Sequence, residues 1–318
     1  MSEAWSSARP GSGRMGVRAP ERVGRVRLGD GRGLGWAEWG PEPGVPVLLC
    51  SGSATGRRLG LDTDAVAALG VRLVTVDRPG LGVSDALPGW TLRDWAQDIG
   101  ELARIRGLGR FAAVGYSIGG PFALACAAAG LTAGVAVVSG TDELAHPAFG
   151  GLLEPEARFV LRRAAEDPEK AGRLLAEAAS AEALFEVVTG VPGEHDRRVF
   201  GDAGFRRAYR RALAEGFARG PGGYARETVL AATRWPFDPA DIRVPVDLWY
   251  SADDGNPFHS PDLGATLAAR IPGARRHVLA DAGTALPWTH AREILGTLLD
   301  GTPPDGTLPD GTLPGGHI

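Results

Sequence analysis

Little in this chain can be oxidised, metallated or inserted into a bilayer. Its 318 residues include 2 cysteines, Cys50 and Cys126, both inside apolar runs. They read as reduced core residues of a cytoplasmic protein, not as a disulfide framework. No metal-ligand spacing surrounds them, so no metal is expected. No window is long and apolar enough to span a bilayer. Residues 1–21, rich in Ser, Gly, Arg and Pro, lack the apolar core of a signal peptide and read as a disordered leader. Lysine is almost missing, with Lys170 standing alone among the basic residues. The formal net charge is −4, which argues against a nucleic-acid or anionic-membrane partner.

What is present is ordinary for a soluble globular protein: 44% hydrophobic and 23% charged residues. The most informative stretch runs from Phe111 to Pro121, Phe-Ala-Ala-Val-Gly-Tyr-Ser-Ile-Gly-Gly-Pro, followed by an Ala-rich helical segment. An apolar strand, then Gly-x-Ser-x-Gly, then a helix is the context of a nucleophile elbow. Ser117 takes the strained apex, and the backbone N–H of Ile118 points toward any oxyanion formed there.

Around the elbow, patterning predicts a hairpin over 22–28 and 33–39 about Asp30-Gly31. Buried strands are expected at 45–50 and 71–76, and further strands at 135–138, 244–250 and 275–279. Helices are expected at 62–69, 118–129, 263–270 and 289–299, and one opens at Thr91 with a capping box to Asp94. Residues 141–241 show helical spacing without a convincing strand. In one stripe Phe205, Tyr209 and Leu213 recur on one face, with Arg206 and Arg210 on a solvated one. Residues 300–318 repeat Asp-Gly-Thr-(Leu)-Pro units and read as a disordered tail. The fold class is α/β, a mostly parallel central sheet flanked by helices, with the ligand site over the strand C-termini.

With these landmarks in order, the chain resembles the α/β-hydrolase superfamily over roughly 22–299. Ser51-Gly52-Ser53-Ala54 sits where the family carries His-Gly-x-Pro. Asp77-Arg78-Pro79-Gly80-Leu81-Gly82-Val83-Ser84-Asp85 looks like the Asp-x-x-Gly-x-Gly-x-Ser loop, and Trp249-Tyr250-Ser251-Ala252-Asp253-Asp254 resembles the segment bearing the triad acid. The resemblance implies a core of 22–140 and 242–299, a helical cap of 141–241, and an oxyanion hole of the Ser53 and Ile118 N–H groups. It implies Asp254 as the acid, with Asp253 as the alternative. At the position of the family's histidine stands Thr284, whose hydroxyl is a poor proton acceptor. Of the 6 histidines, His290 and then His259 are the candidates to replace it.

A serine, an acid and an oxyanion cradle without their base imply an enzyme acting on a small or mid-sized carbonyl compound. The expected reaction is non-hydrolytic: a cyclisation, elimination or isomerisation in specialised metabolism, where positioning and charge stabilisation suffice. The alternatives are an esterase or thioesterase with a relocated histidine, a non-catalytic binder, or an engineered loss of the base at Thr284. No organic cofactor is implied, because Gly80-Leu81-Gly82 lacks the third glycine and the placement of a dinucleotide site. The partner is a small molecule; the oligomeric state is left open, a homodimer included.

Overall fold

The computed structural model describes residues 16–153, 155–190 and 193–301. The expected leader and tail therefore lie outside the described residues, apart from 16–21 and 300–301. Eight strands form one sheet in the order β1-β2-β4-β3-β5-β6-β7-β8. They are β1 (Arg22–Arg27), β2 (Gly33–Trp39), β3 (Val45–Cys50), β4 (Val71–Val76), β5 (Phe111–Tyr116), β6 (Thr132–Val138), β7 (Val246–Ser251) and β8 (Arg275–Leu279). The first two pair antiparallel, as the alternating hairpin pattern predicts, and β2 joins β4 antiparallel. All pairings from β4 through β8 are parallel. These inner strands are buried along nearly their whole length, which is why they read as continuous apolar runs.

Helices α1 (Thr63–Ala68), α2 (Leu92–Arg106) and α3 (Gly119–Ala128) connect the first half of the sheet. Thr91 and Asp94 close the capping box on α2, and Gly107 ends that helix in the left-handed region. α3 shows no amphipathic face because it is buried all round, against β3, β5 and β6. Between β6 and β7 run α4 (Pro155–Glu166), α5 (Pro168–Ala178), α6 (Ala181–Thr189), α7 (Arg197–Phe200), α8 (Ala203–Gly216) and α9 (Gly222–Ala232). The expected stripe on α8 is there: Phe205, Tyr209 and Leu213 are buried with Phe185 and Trp288 in a separate core cluster. Then come α10 (Ala265–Arg270), α11 (Leu286–Thr289) and α12 (Ala291–Asp300).

Topology decides where chemistry can occur. After β3 the chain moves outward to β4 and then returns to the other side of β3 for β5. The loops after β3 and β5 therefore diverge, leaving a crevice at the carboxyl edge. The Asp77–Ser84 loop after β4 is tied down beside it. Asp77, 0% exposed, accepts from the Arg57 backbone N–H (2.7 Å), Arg57 Nη1 (2.6 Å) and the Val83 N–H (3.0 Å). Gly82 has φ +52, and a Cβ there would meet the Asp77 carboxylate at 2.2 Å, so only glycine fits. Asp77→Ala would leave the buried Arg57 guanidinium without its partner. The expected loss of stability is about 3–5 kcal/mol, read by urea unfolding.

Candidate active site

The elbow is built as its sequence demands. Ser117 has φ +53, a strained value for a residue with a side chain. The bend is held because Ser117 N–H donates to Val138 O and its carbonyl accepts from Gly120 and Thr141 N–H, each at 3.0 Å. A Cβ on Gly119 would strike the Cys50 carbonyl oxygen at 1.9 Å, so this glycine lets α3 start directly against β3.

The expectation that Ser117 lacks an imidazole is overturned. His259 Nε2 lies 3.0 Å from Ser117 Oγ. Its Nδ1 is 2.8 Å and 3.0 Å from the two oxygens of Asp254. A carboxylate only accepts, so Nδ1 carries the proton and Nε2 is the acceptor for the serine hydroxyl. Both side chains are buried, at 3% for His259 and 1% for Asp254. The acid and the imidazole come from one loop, after β7. That loop turns back within a few residues: Asn256 N–H donates to Asp254 Oδ1 (3.1 Å) and Phe258 N–H to Asn256 Oδ1 (3.0 Å). His259 N–H donates to Asn256 O (3.0 Å), and Ser260 N–H then donates to Gly140 O (3.0 Å), which anchors the loop to the end of β6. Asn256 Nδ2 also lies 3.1 Å from His259 Nε2, a second donor to the same lone pair.

The other candidates fall elsewhere. Asp253 is on the outside, with a side chain 71% exposed and His195 at 3.9 Å. His290 Nδ1 pairs with its neighbour Thr289 Oγ1 at 2.8 Å, and burial holds its pKa below the usual value. Thr284 lines the cavity but is occupied: its Oγ1 (2.8 Å) and N–H (2.9 Å) both donate to Asp196 Oδ2, whose other oxygen accepts from Ala285 N–H (2.9 Å). Asp196, 5% exposed, thus ties the insertion to the loop after β8. His277 is engaged away from the serine, pairing with Asp247 (2.7 Å) and stacking on Trp249.

Ser117 opens into a cavity of about 340 Å³ between the sheet edge and the helical insertion. Ser53, Ile118, Asn256 and His259 give it a polar floor, whereas Leu161, Leu175, Leu184 and Val188 form apolar walls. Among the described residues, no cluster of three or more His, Cys, Asp or Glu could hold a metal ion, and no helix is long and apolar enough to cross a membrane. Asn256, Asp196 and the contribution of Thr228 and Tyr224 to the cavity escaped the sequence reading. The signal for His259 was local: only four residues, Gly255 to Phe258 with an Asn-Pro turn among them, separate carboxylate from imidazole, which keeps the two close without fixing where the ring points.

These features define a class: an α/β fold with a serine elbow and an aligned imidazole and carboxylate. The chain belongs to the alpha/beta hydrolase family, whose profile matches residues 31–297. It is similar to a hydrolase from Pseudomonas aeruginosa PA01, at 18% identity and TM-score 0.65, covering 88% of this chain and 98% of that one. It is similar to the enol-lactonase from Burkholderia xenovorans LB400, at 20% and 0.63, covering 87% and 98%. It is also similar to a thermophilic esterase from Thermogutta terrifontis, at 22% and 0.62, covering 88% and 97%. At these identities the likeness is one of fold. None of the curated proteins matches the chain.

One titratable group beneath the loop bears on stability. Asp142, 0% exposed, accepts from Ser260 Oγ (3.2 Å) and Glu143 N–H (2.7 Å), and burial pushes its pKa up from 3.8 to about 6. A raised carboxyl pKa penalises the ionised folded state. The associated stability is full at low pH and is lost as pH rises through that interval. Asp142→Asn removes the ionisation, so its unfolding free energy should fall less than wild type's between about pH 4 and about pH 8 in urea titrations.

Proposed function

We propose that the protein is a serine hydrolase of carboxylic esters whose acyl or alkyl part is apolar. The observation that carries this reading is the 3.0 Å contact between His259 Nε2 and Ser117 Oγ, backed by Asp254. The non-hydrolytic reaction was expected because the base was missing. With an imidazole in place, that ground is gone and the relocated-histidine alternative is the better supported.

The geometry supports the following sequence. Ser117 Oγ attacks the ester carbonyl while His259 Nε2 takes its proton, and Asp254 stabilises the imidazolium that forms. Ser53 and Ile118 line the cavity, and their backbone N–H groups would donate to the oxyanion. His259 returns the proton to the leaving alcohol, and the bond from carbon to that oxygen breaks. A water molecule, deprotonated by the same imidazole, then hydrolyses the acyl-enzyme. A cavity of about 340 Å³ is at the small end of the ~300–1,000 Å³ range for small-molecule sites. Its apolar walls favour a mid-sized hydrocarbon group over a charged one. Residues 141–241 would act as the cap that supplies those walls.

The test is hydrolysis of p-nitrophenyl esters of increasing chain length, with labelling by a serine-directed phosphonate. Ser117→Ala and His259→Ala are each expected to lower kcat by about 10⁴–10⁶-fold and to abolish labelling. Thr284→Ala should leave turnover near wild type, because its hydroxyl serves Asp196. Absence of turnover and labelling in the wild type would refute the reading. So would a Thr284→His variant that raises turnover by orders of magnitude.

A further inference from the structure

The loop that carries Ser53 has no bulky side chain of its own. Residues 51–56 read Ser-Gly-Ser-Ala-Thr-Gly, and Ala54 is held at φ +47. Such a backbone conformation needs an external support. One buried ion pair supplies it. Arg78, in the loop after β4, donates through Nη1 to Ser51 O (2.8 Å) and through Nη2 to Gly52 O (2.7 Å). Its Nε donates to Glu227 Oε2 (2.5 Å), and Glu227 Oε1 accepts from the Ala54 N–H (2.6 Å). The chain is therefore gripped immediately before and immediately after Ser53. Arg78 is 2% and Glu227 0% exposed. Glu227 belongs to α9, so half of the grip comes from the insertion and half from the core. α8 reinforces it: Gly56 N–H donates to Ala212 O (2.9 Å).

We infer that Arg78 and Glu227 are positioning residues that aim the Ser53 N–H at the developing oxyanion, so that catalysis depends on α9 being docked. The inference rests on the serine-hydrolase reading. A buried ion pair adds little stability over apolar side chains of similar volume. Stability alone therefore does not account for a pair placed against the loop. Neither residue touches the reacting atoms; both act through the backbone on either side of Ser53.

The test compares Glu227→Ala, Glu227→Gln and the double variant Arg78→Met/Glu227→Gln with wild type on a p-nitrophenyl ester. Removing one oxyanion donor costs about 10²–10³-fold in kcat. Glu227→Ala is expected to approach the lower figure with KM little changed. Glu227→Gln, which keeps an acceptor for Ala54 N–H, should recover part of the loss. Affinity for a trifluoromethyl ketone, which forms a tetrahedral adduct on Ser117, should fall in parallel with kcat. Affinity for the product acid should not. The double variant removes both buried charges together and should melt near wild type while kcat stays low. The inference is overturned if Glu227→Ala keeps kcat within about threefold of wild type, well short of one donor's worth. It is equally overturned if the double variant recovers activity along with its melting temperature. A wild type that neither turns over the ester nor is labelled would instead sink the hydrolase reading, and the inference with it.

Discussion

The tight bend at Ser117 is the constraint on which the rest of the structure depends. A side chain at φ +53 persists only where its surroundings over-determine it. Three features do so here: the close seat of Gly119 against Cys50, hydrogen bonds from the bend to Val138 and Thr141, and an α3 buried on all sides. Each is apolar packing or backbone pairing, so the apex is rigid before any substrate arrives. The sheet order then places the diverging loops after β3 and β5 next to that apex.

Rigidity at the serine is matched by rigidity in the groups that face it. The imidazole is locked by Asp254 on one side and by a turn through Asn256 on the other, with Ser260 hooked to the end of β6. The loop bearing Ser53 is gripped from both flanks by Arg78 and Glu227. Serine, imidazole and backbone donors therefore reach the cavity from three separate strand ends. In the proposed hydrolysis such pre-organisation would lower the barrier, because no reorientation would be needed as charge develops.

The strands, the elbow and the helix starts outside residues 141–241 were legible in the sequence because short-range rules govern them. Apolar runs, the Thr91–Asp94 capping box and the glycines around Ser117 speak within a few residues of themselves. Asp254 was legible through a family pattern. The imidazole was not, because its identity depends on where a loop's reversal aims one ring. His290 ranked first by distance from Thr284 along the chain, yet its own neighbour engages it. His259 lay close to the acid in sequence, and only the folded loop reveals that the carboxylate backs the ring while the ring points at the Ser117 oxygen. Glu227 was invisible for the same reason: it lies 149 residues from Arg78.

Bringing acid and imidazole into one loop has a structural consequence at the loop after β8. With no base to present there, that loop holds the insertion in place. Asp196 takes three hydrogen bonds from Thr284 and Ala285, and Trp288 packs edge-on against Phe205 of α8. A histidine at 284 would need its ring free to turn toward the serine, whereas a short hydroxyl satisfies a buried carboxylate at fixed geometry. The two arrangements compete for one position. Asp196 is buried, and without the Thr284 hydroxyl it would lose one of its three donors. Placing the imidazole after β7 therefore leaves this junction free to be stiff, and the cavity keeps its roof through the same contact that keeps a second base out of it.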